Sequence, residues 1–315
     1  MSYKFKVSET FAEGLRRIGA EQVERASSCL EHGADVHQGV HEARKSLKRL
    51  RALLALYRDS LDGDDYRGLD HAFRDIARRL AGAREIQAML DSLVQLERRF
   101  GRAGRNKVLA ALRAELDARR AQLTEMACKA AVPDGSMAQI REALTQAGAR
   151  LALVPTTEEE FDAIRPGLEH TYRAARRWHK RAFEDNTGES FHEWRKILQR
   201  HWRHVQLLTP AWPHELRGRV QLLRTICETV GQDHDLTVLD ARLAASGRSL
   251  GTAAQVRSCR ALCRQRQAEL RALVHADGEK LFAEGTAAFS RRIGRYWRQT
   301  GDAGIKSDDK PANAA

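Results

Sequence analysis

The sequence predicts an all-α protein. Proline is scarce, at 6 of 315 residues, and the chain leans on Ala, Leu, Arg and Glu, which cost little in a helix. Apolar residues recur every three or four positions over long stretches, and no segment sustains the two-residue alternation of a half-buried strand. The third observation is an internal repeat. His41-Glu42-Ala43-Arg44-Lys45-Ser46-Leu47-Lys48-Arg49 matches His192-Glu193-Trp194-Arg195-Lys196-Ile197-Leu198-Gln199-Arg200 at an offset of 151, with six of nine positions identical. A second pair follows about forty residues later, where Ala81-Gly82-Ala83-Arg84-Glu85-Ile86 corresponds to Val230-Gly231-Gln232-Asp233-His234-Asp235-Leu236. The expected architecture is a duplicated helical bundle with its junction near Leu151–Thr157. The halves are 1–154 and 155–299, followed by a disordered tail over 300–315.

Taken in order, Thr10 and Glu13 have capping-box spacing ahead of Phe11, Leu15 and Ile18, so the first helix starts there. A second runs from about Val36 to Ser60 and stops at Asp62-Gly63-Asp64. Helices over Tyr66–Ala81 and Ala83–Phe100 follow. Gly101–Gly104 is a break, Asn106–Ala130 is helical, and Pro133-Asp134-Gly135-Ser136 is a second break before Met137–Leu151. Thr156 and Glu159 form another capping box after Pro155. The second half reads as Arg165–Phe183, Glu189–Leu208, Pro213–Val230, Leu236–Ala245, Gly251–Ala276 and Lys280–Gln299.

The charge balance points to acidic partners. Lys and Arg number 54 against 42 Asp and Glu, a net charge of +12. No apolar run approaches the roughly 20 residues of a membrane helix, so no membrane is expected. Five cysteines with no paired framework read as a reducing, cytoplasmic setting. Cys259 and Cys263, at i,i+4, read as buried structural thiols.

On a helical wheel of residues 36–57, Leu47, Leu50, Leu54 and Tyr57 share one stripe. His37, His41, Arg44, Lys48 and Arg51 form a second stripe beside it, about 21 Å long, with no acid among them. Like charges stacked this way repel. Either acids from neighbouring helices or an external anion must offset them. Arg forks and Lys ammoniums suit phosphate oxygens, and a linear row suits a linear polymer. The second copy is weaker: His192, Arg195, Lys196 and Arg203 remain, but Gln199 replaces Lys48. The preceding helix adds Arg173, Arg176, Arg177 and Lys180, while Tyr172 and Trp178 read as packing residues.

These segments together resemble the CHAD family. The resemblance covers about residues 8–300. It rests on the paired His-Glu-x-Arg-Lys segments, on Arg74-Asp75-Ile76-Ala77-Arg78-Arg79-Leu80 leading into Arg84-Glu85, and on Gly231-Gln232-Asp233-His234-Asp235-Leu236. The stretch from Tyr172-Arg173 through His192 to His201-Trp202 is also similar to the family pattern. The resemblance implies two helical bundles related by a pseudo-twofold axis around a central basic groove or pore. It further implies binding of inorganic polyphosphate and association with polyphosphate granules. Carried over by position, the binding residues are His41, Arg44, Lys45, Lys48, Arg51, His192, Arg195, Lys196, Arg200 and Arg203. Gln199 stands where the family often has Lys, and Glu85 where it often has Asp. The Glu-x-Glu-x-Lys start of the triphosphatase tunnel domain fused to some members is not found here.

Three other functions compete. Phosphoryl-transfer catalysis needs a carboxylate-held metal or a Gly-rich phosphate loop, and neither is legible, so no catalytic residue and no cofactor are assigned. Glu42 and Glu193 lie about 100° around the helix from the histidines that precede them. His37 with His41, or His201 with His204, could hold a metal, but a cationic surround disfavours it. Nonspecific nucleic-acid binding is the main alternative, as a weaker competitor for the same groove. Glu85, Asp233 and Asp235 read as caps or salt-bridge partners, and His234 as a cap-region donor. His32, His71, His170 and His214 carry no motif.

Overall fold

The computed structural model describes residues 3–31, 36–80, 82–129, 136–155, 160–247 and 249–308, with side chains left aside at 36–37, 82–85, 123–129, 136 and 301–308. The Thr156–Glu159 capping box, the Pro133–Gly135 break and the side chains of His37, Arg84 and Glu85 lie outside the described set. Among the described residues there are eleven α-helices and no strand. They are α1 (Phe11–Glu31), α2 (Val36–Leu56), α3 (Gly63–Arg79), α4 (Gly82–Phe100), α5 (Lys107–Lys129), α6 (Ser136–Leu153), α7 (Arg165–Asp185), α8 (Gly188–Leu207), α9 (Pro213–Ala245), α10 (Ala253–Leu281) and α11 (Thr286–Asp308). None of the described helices is long and apolar enough to cross a membrane.

The local signals act as expected at several ends. The Thr10 amide donates to Glu13 Oε2 at 2.8 Å and the Glu13 amide to Thr10 Oγ1 at 3.2 Å, which closes the capping box of α1. Asn106 Oδ1 accepts from the Leu109 amide at 3.0 Å and starts α5. Four boundaries differ from the sequence reading. Asp62 opens α3 by accepting from the Asp64 and Asp65 amides at 2.8 and 3.3 Å, so the turn that stops α2 also caps the next helix. A single 33-residue α9 replaces the two helices expected over 213–245, because buried Val230 and Leu236 hold the Gly231–Asp235 stretch on one packed face. The α10–α11 break falls between Leu281 and Thr286, not near 276–280. Finally, α11 continues through the first part of the expected tail to Asp308, with the Thr300 hydroxyl donating to Ala211 O and Tyr296 O at 2.7 and 2.9 Å.

Helix contacts follow a similar order before and after residue 155. The pairs α1–α2, α2–α3, α4–α5 and α1–α6 have counterparts in α7–α8, α8–α9, α9–α10 and α7–α11, with the continuous α9 standing where α3 and α4 stand. Each of the two clusters of buried side chains draws on both halves. The larger joins α1, α2, α3, α6, α7, α8, α11 and the first part of α9. The smaller joins α4, α5, the second part of α9 and most of α10. The repeated helices differ in what they bury at the same position. Ala43 in α2 and Trp194 in α8 are both fully buried, and the indole of Trp194 packs against His179, Phe183 and Phe191.

The halves meet where α2 passes α7 and α8. A Cβ on Gly167 would lie 2.1 Å from Leu56 O and 2.7 Å from Ala55 O, so only glycine lets α7 seat on the end of α2. Nearby, the fully buried His204 donates from Nε2 to Ala52 O at 2.8 Å. Burial holds its pKa down at about 3.

Two outcomes follow. Gly167→Ala should lower the unfolding free energy by about 1–3 kcal/mol or more in chemical denaturation, because backbone must move. Neutral His204 favours the folded state above the unfolded-state pKa of about 6.5, and the advantage is lost as pH falls from there toward about 3. Thermal melts should therefore be flat above neutrality and fall on the acid side, and His204→Gln should make that acid limb shallower.

Candidate functional site

On α2, the basic stripe sits beside the core as the wheel requires. His41, Arg44, Lys48 and Arg51 are half-buried, while Lys45 is exposed. Arg44 reaches α3 and donates from Nη1 to Ala77 O. Arg51 forms a two-point pair with Asp70 of α3, at 2.8 and 3.1 Å. Here a neighbouring acid offsets the charge. Lys45 pairs with Glu42 at 2.6 Å. At the equivalent position of α8, Lys196 pairs with Glu193. Exposed pairs of this type contribute little to stability and are readily exchanged for another anion.

On α8, His192 stacks on His234 of α9 with ring centroids 4.2 Å apart. His234 lies inside α9, not at a cap, so the two repeated sequence motifs of the second half meet side by side. Burial lowers the pKa of both rings, that of His234 to about 4, and neighbouring Arg195 adds to the effect on each. Asp233 is a salt-bridge partner, held by Arg271 at 2.8 Å.

The two repeated helices cross near Ala52 and His204. Ala52 corresponds to Arg203 at the offset of 151, so the crossing falls at nearly the same repeat position in each helix. Three arginines surround it. Arg203 is buried, with 8% of its surface exposed, and donates from Nη1 to Gln199 O at 2.7 Å while its guanidinium lies 5.2 Å over Trp202. Arg49 donates to Gln22 Oε1 at 3.3 Å, and its guanidinium lies 5.5 Å over the Tyr3 ring. Arg200 lies in the field of Arg51, Arg58 and Asp70. Among the described residues, Arg49, Arg200 and Arg203 form no ion pair with a carboxylate. Burial lowers the pKa of all three, Arg203 feels both Arg49 and Arg195, and Arg200 feels Arg51. Cys227 also feels Arg203 and Arg195, but burial pushes its thiol up to about 12, which leaves it inert.

The crossing therefore gathers Arg200 and Arg203 from α8, with Arg195 within the field of Arg203 and Arg51 within that of Arg200. It leaves the motif histidines at a distance. His41 and His192 precede Ala52 and His204 by 11 and 12 residues, about 16–18 Å along their own helices. Arg49 was absent from the sequence-derived set. The repeat itself points to it, since Arg49 is the equivalent of Arg200 at the offset of 151. The described residues bring together no group of three or more His, Cys, Asp or Glu able to hold a metal ion.

A family profile described as CHAD domain matches residues 17–244. The chain belongs to the CHAD domain family. Its fold is similar to PptA from Streptomyces chartreusis, at a TM-score of 0.59 and 17% identity, covering 88% of this chain and 98% of that one. It is also similar to the CHAD domain from the plant Ricinus communis, at a TM-score of 0.62 and 18% identity, covering 90% of this chain and 95% of that one. At these identities the likeness establishes the shared all-helical fold. No curated protein is significantly similar in sequence.

Arg195→Gln should raise the pKa of both His192 and His234, because it removes a cation that disfavours their protonation. An NMR titration of the imidazole protons checks this; unchanged midpoints would mean that burial, with Lys196 at His192 and His192 at His234, sets them without Arg195.

Proposed function

We propose that this protein binds inorganic polyphosphate without turning it over, along a basic channel lined by α2 and α8, and that binding targets it to polyphosphate granules in the cytoplasm. The observation that carries the reading is the trio Arg49, Arg200 and Arg203. A buried cation without a counter-ion is strongly destabilising, by several kcal/mol when a partner is missing. Arg203 is such a group, and half-buried Arg49 and Arg200, which feel Glu42 and Asp70 only at a distance, add from both repeated helices to a standing demand for an anion from outside. Polyphosphate meets that demand with one charge per phosphate along a flexible line, which matches rows of cations better than a single small anion does.

In this reading Arg44 and Arg195 grip phosphate oxygens, and Lys45, Lys48 and Lys196 contribute point charges. Lys45 and Lys196 exchange their glutamate partners for phosphate. His41 and His192 add donors farther along each helix. Bound phosphate counteracts the cations that lower the pKa of His192, so protonation strengthens binding as pH falls below the ordinary histidine range. Affinity depends steeply on salt, through counterion release.

The test is a competition titration at near-physiological salt, with long-chain polyphosphate against single-stranded RNA and duplex DNA of matched charge. Preference for polyphosphate by about tenfold, which is 1.4 kcal/mol, supports the reading. Equal binding of all three polymers would make this a general basic surface and favour the nucleic-acid alternative. Arg44→Gln with Arg195→Gln should weaken binding much more than Arg119→Gln with Arg120→Gln, a pair exposed on α5. Release of orthophosphate by the purified protein would overturn the non-catalytic assignment.

A further inference from the structure

A second basic feature lies outside the α2–α8 crossing. A groove of about 920 Å³ runs between α7, α10 and the start of α11, floored by His179, Phe183 and Phe282. Five cations line it against three carboxylates. Arg173, Arg176, Arg177 and Lys180 are all exposed on α7. Among the described residues, Arg176 and Arg177 have no carboxylate partner. Arg173 and Lys180 hold only long contacts of 3.6 Å to Glu169 and Glu184 on their own helix. The first helix of the other half is different. There Arg17 is fixed between Glu9 and Glu21 at 2.6 and 2.9 Å, and Arg25 pairs with Glu42 at 3.2 Å. On α7 Arg165 and Arg181 are paired with Asp162 and Asp185, and the cations between them, Arg173 to Lys180, are the loosely held ones.

Helix α7 runs from beside the crossing to the groove. The start of α7 is seated on the end of α2 through Gly167. One turn later His170 lies in the fields of Arg58, Arg200 and Arg173 together, with Asp59 the one carboxylate among them. From His170 to Lys180 the cationic face of α7 climbs about 15 Å away from the crossing. It ends where Glu184, Asp185 and Glu279 stand at the groove. A negative polymer leaving the crossing passes Glu169, which holds Arg173 only loosely, then meets Arg176, Arg177 and Lys180, and reaches three carboxylates at the far end.

We propose that the α7 groove is an extension of the polyphosphate path, holding the part of a long chain that runs past the crossing. This inference rests on the binding function proposed above. It makes the protein a discriminator of chain length: a short chain fills the crossing, and only a longer one reaches Arg176 and Arg177.

The experiment compares the full-length chain with Arg176→Gln/Arg177→Gln/Lys180→Gln, using inorganic tripolyphosphate and long-chain polyphosphate as probes. All three positions are exposed, and circular dichroism checks that the variant is folded. The expected result is a loss of long-chain affinity with tripolyphosphate affinity unchanged. The slope of log affinity against log salt for the long chain should fall by about one for each phosphate contact removed. Unchanged long-chain affinity and slope would overturn the groove while leaving the crossing intact. An equal loss for both probes would also overturn it, since the effect would then be one of general charge. Failure of the unmodified protein to bind either probe would sink the parent reading instead.

Discussion

Two helices of like charge can pack only if something other than charge holds them. Here that constraint is met in backbone and buried histidine. His204 of α8 donates to the Ala52 carbonyl of α2, and Gly167 lets α7 rest on the carbonyls that end α2. These contacts need a neutral imidazole, which burial and the nearby Arg200 and Arg203 both favour, and a missing side chain, so the arginines do not oppose them. The core then closes over the crossing from both halves, with Leu50, Leu53, Leu54 and Leu56 on one side and Leu198, Val205 and Leu207 on the other. Arg49, Arg200 and Arg203 are carried inward because their helices are anchored, and not because their charges are welcome.

That order of causes explains why the site is built from arginine. A buried lysine or histidine relieves its position by giving up its proton, as His201 and His204 do under burial. Arginine does not, so burial cannot silence it. A cation that stays charged beside a packed core has to be that residue. The aromatic and amide neighbours it finds here, Trp202, Tyr3 and Gln22, solvate the guanidinium without neutralising it.

The helices were legible in the sequence because their signals are local: capping boxes, scarce proline, leucines at helical spacing. The errors share one cause. Gly231-Gln232-Asp233-His234-Asp235 reads as a break by propensity, yet burial of Val230 and Leu236 overrides it, and the same error made His234 a cap instead of a partner of His192. Arg49 was invisible to a wheel drawn on α2 alone, since what faces it comes from Tyr3, Gln22 and α8. The pairing of Arg51 with Asp70 was equally out of reach, because a single helix carries no information about which acid its neighbour presents.

The continuity of α9 carries a further consequence. Its 33 residues form a rod of about 50 Å whose first part is buried in one cluster and whose last part is buried in the other. In the first half, the same two environments are served by separate helices, α3 and α4. Loss of order in either cluster thus frays a helix that the other still needs. The continuous rod ties the packing of one cluster to that of the other.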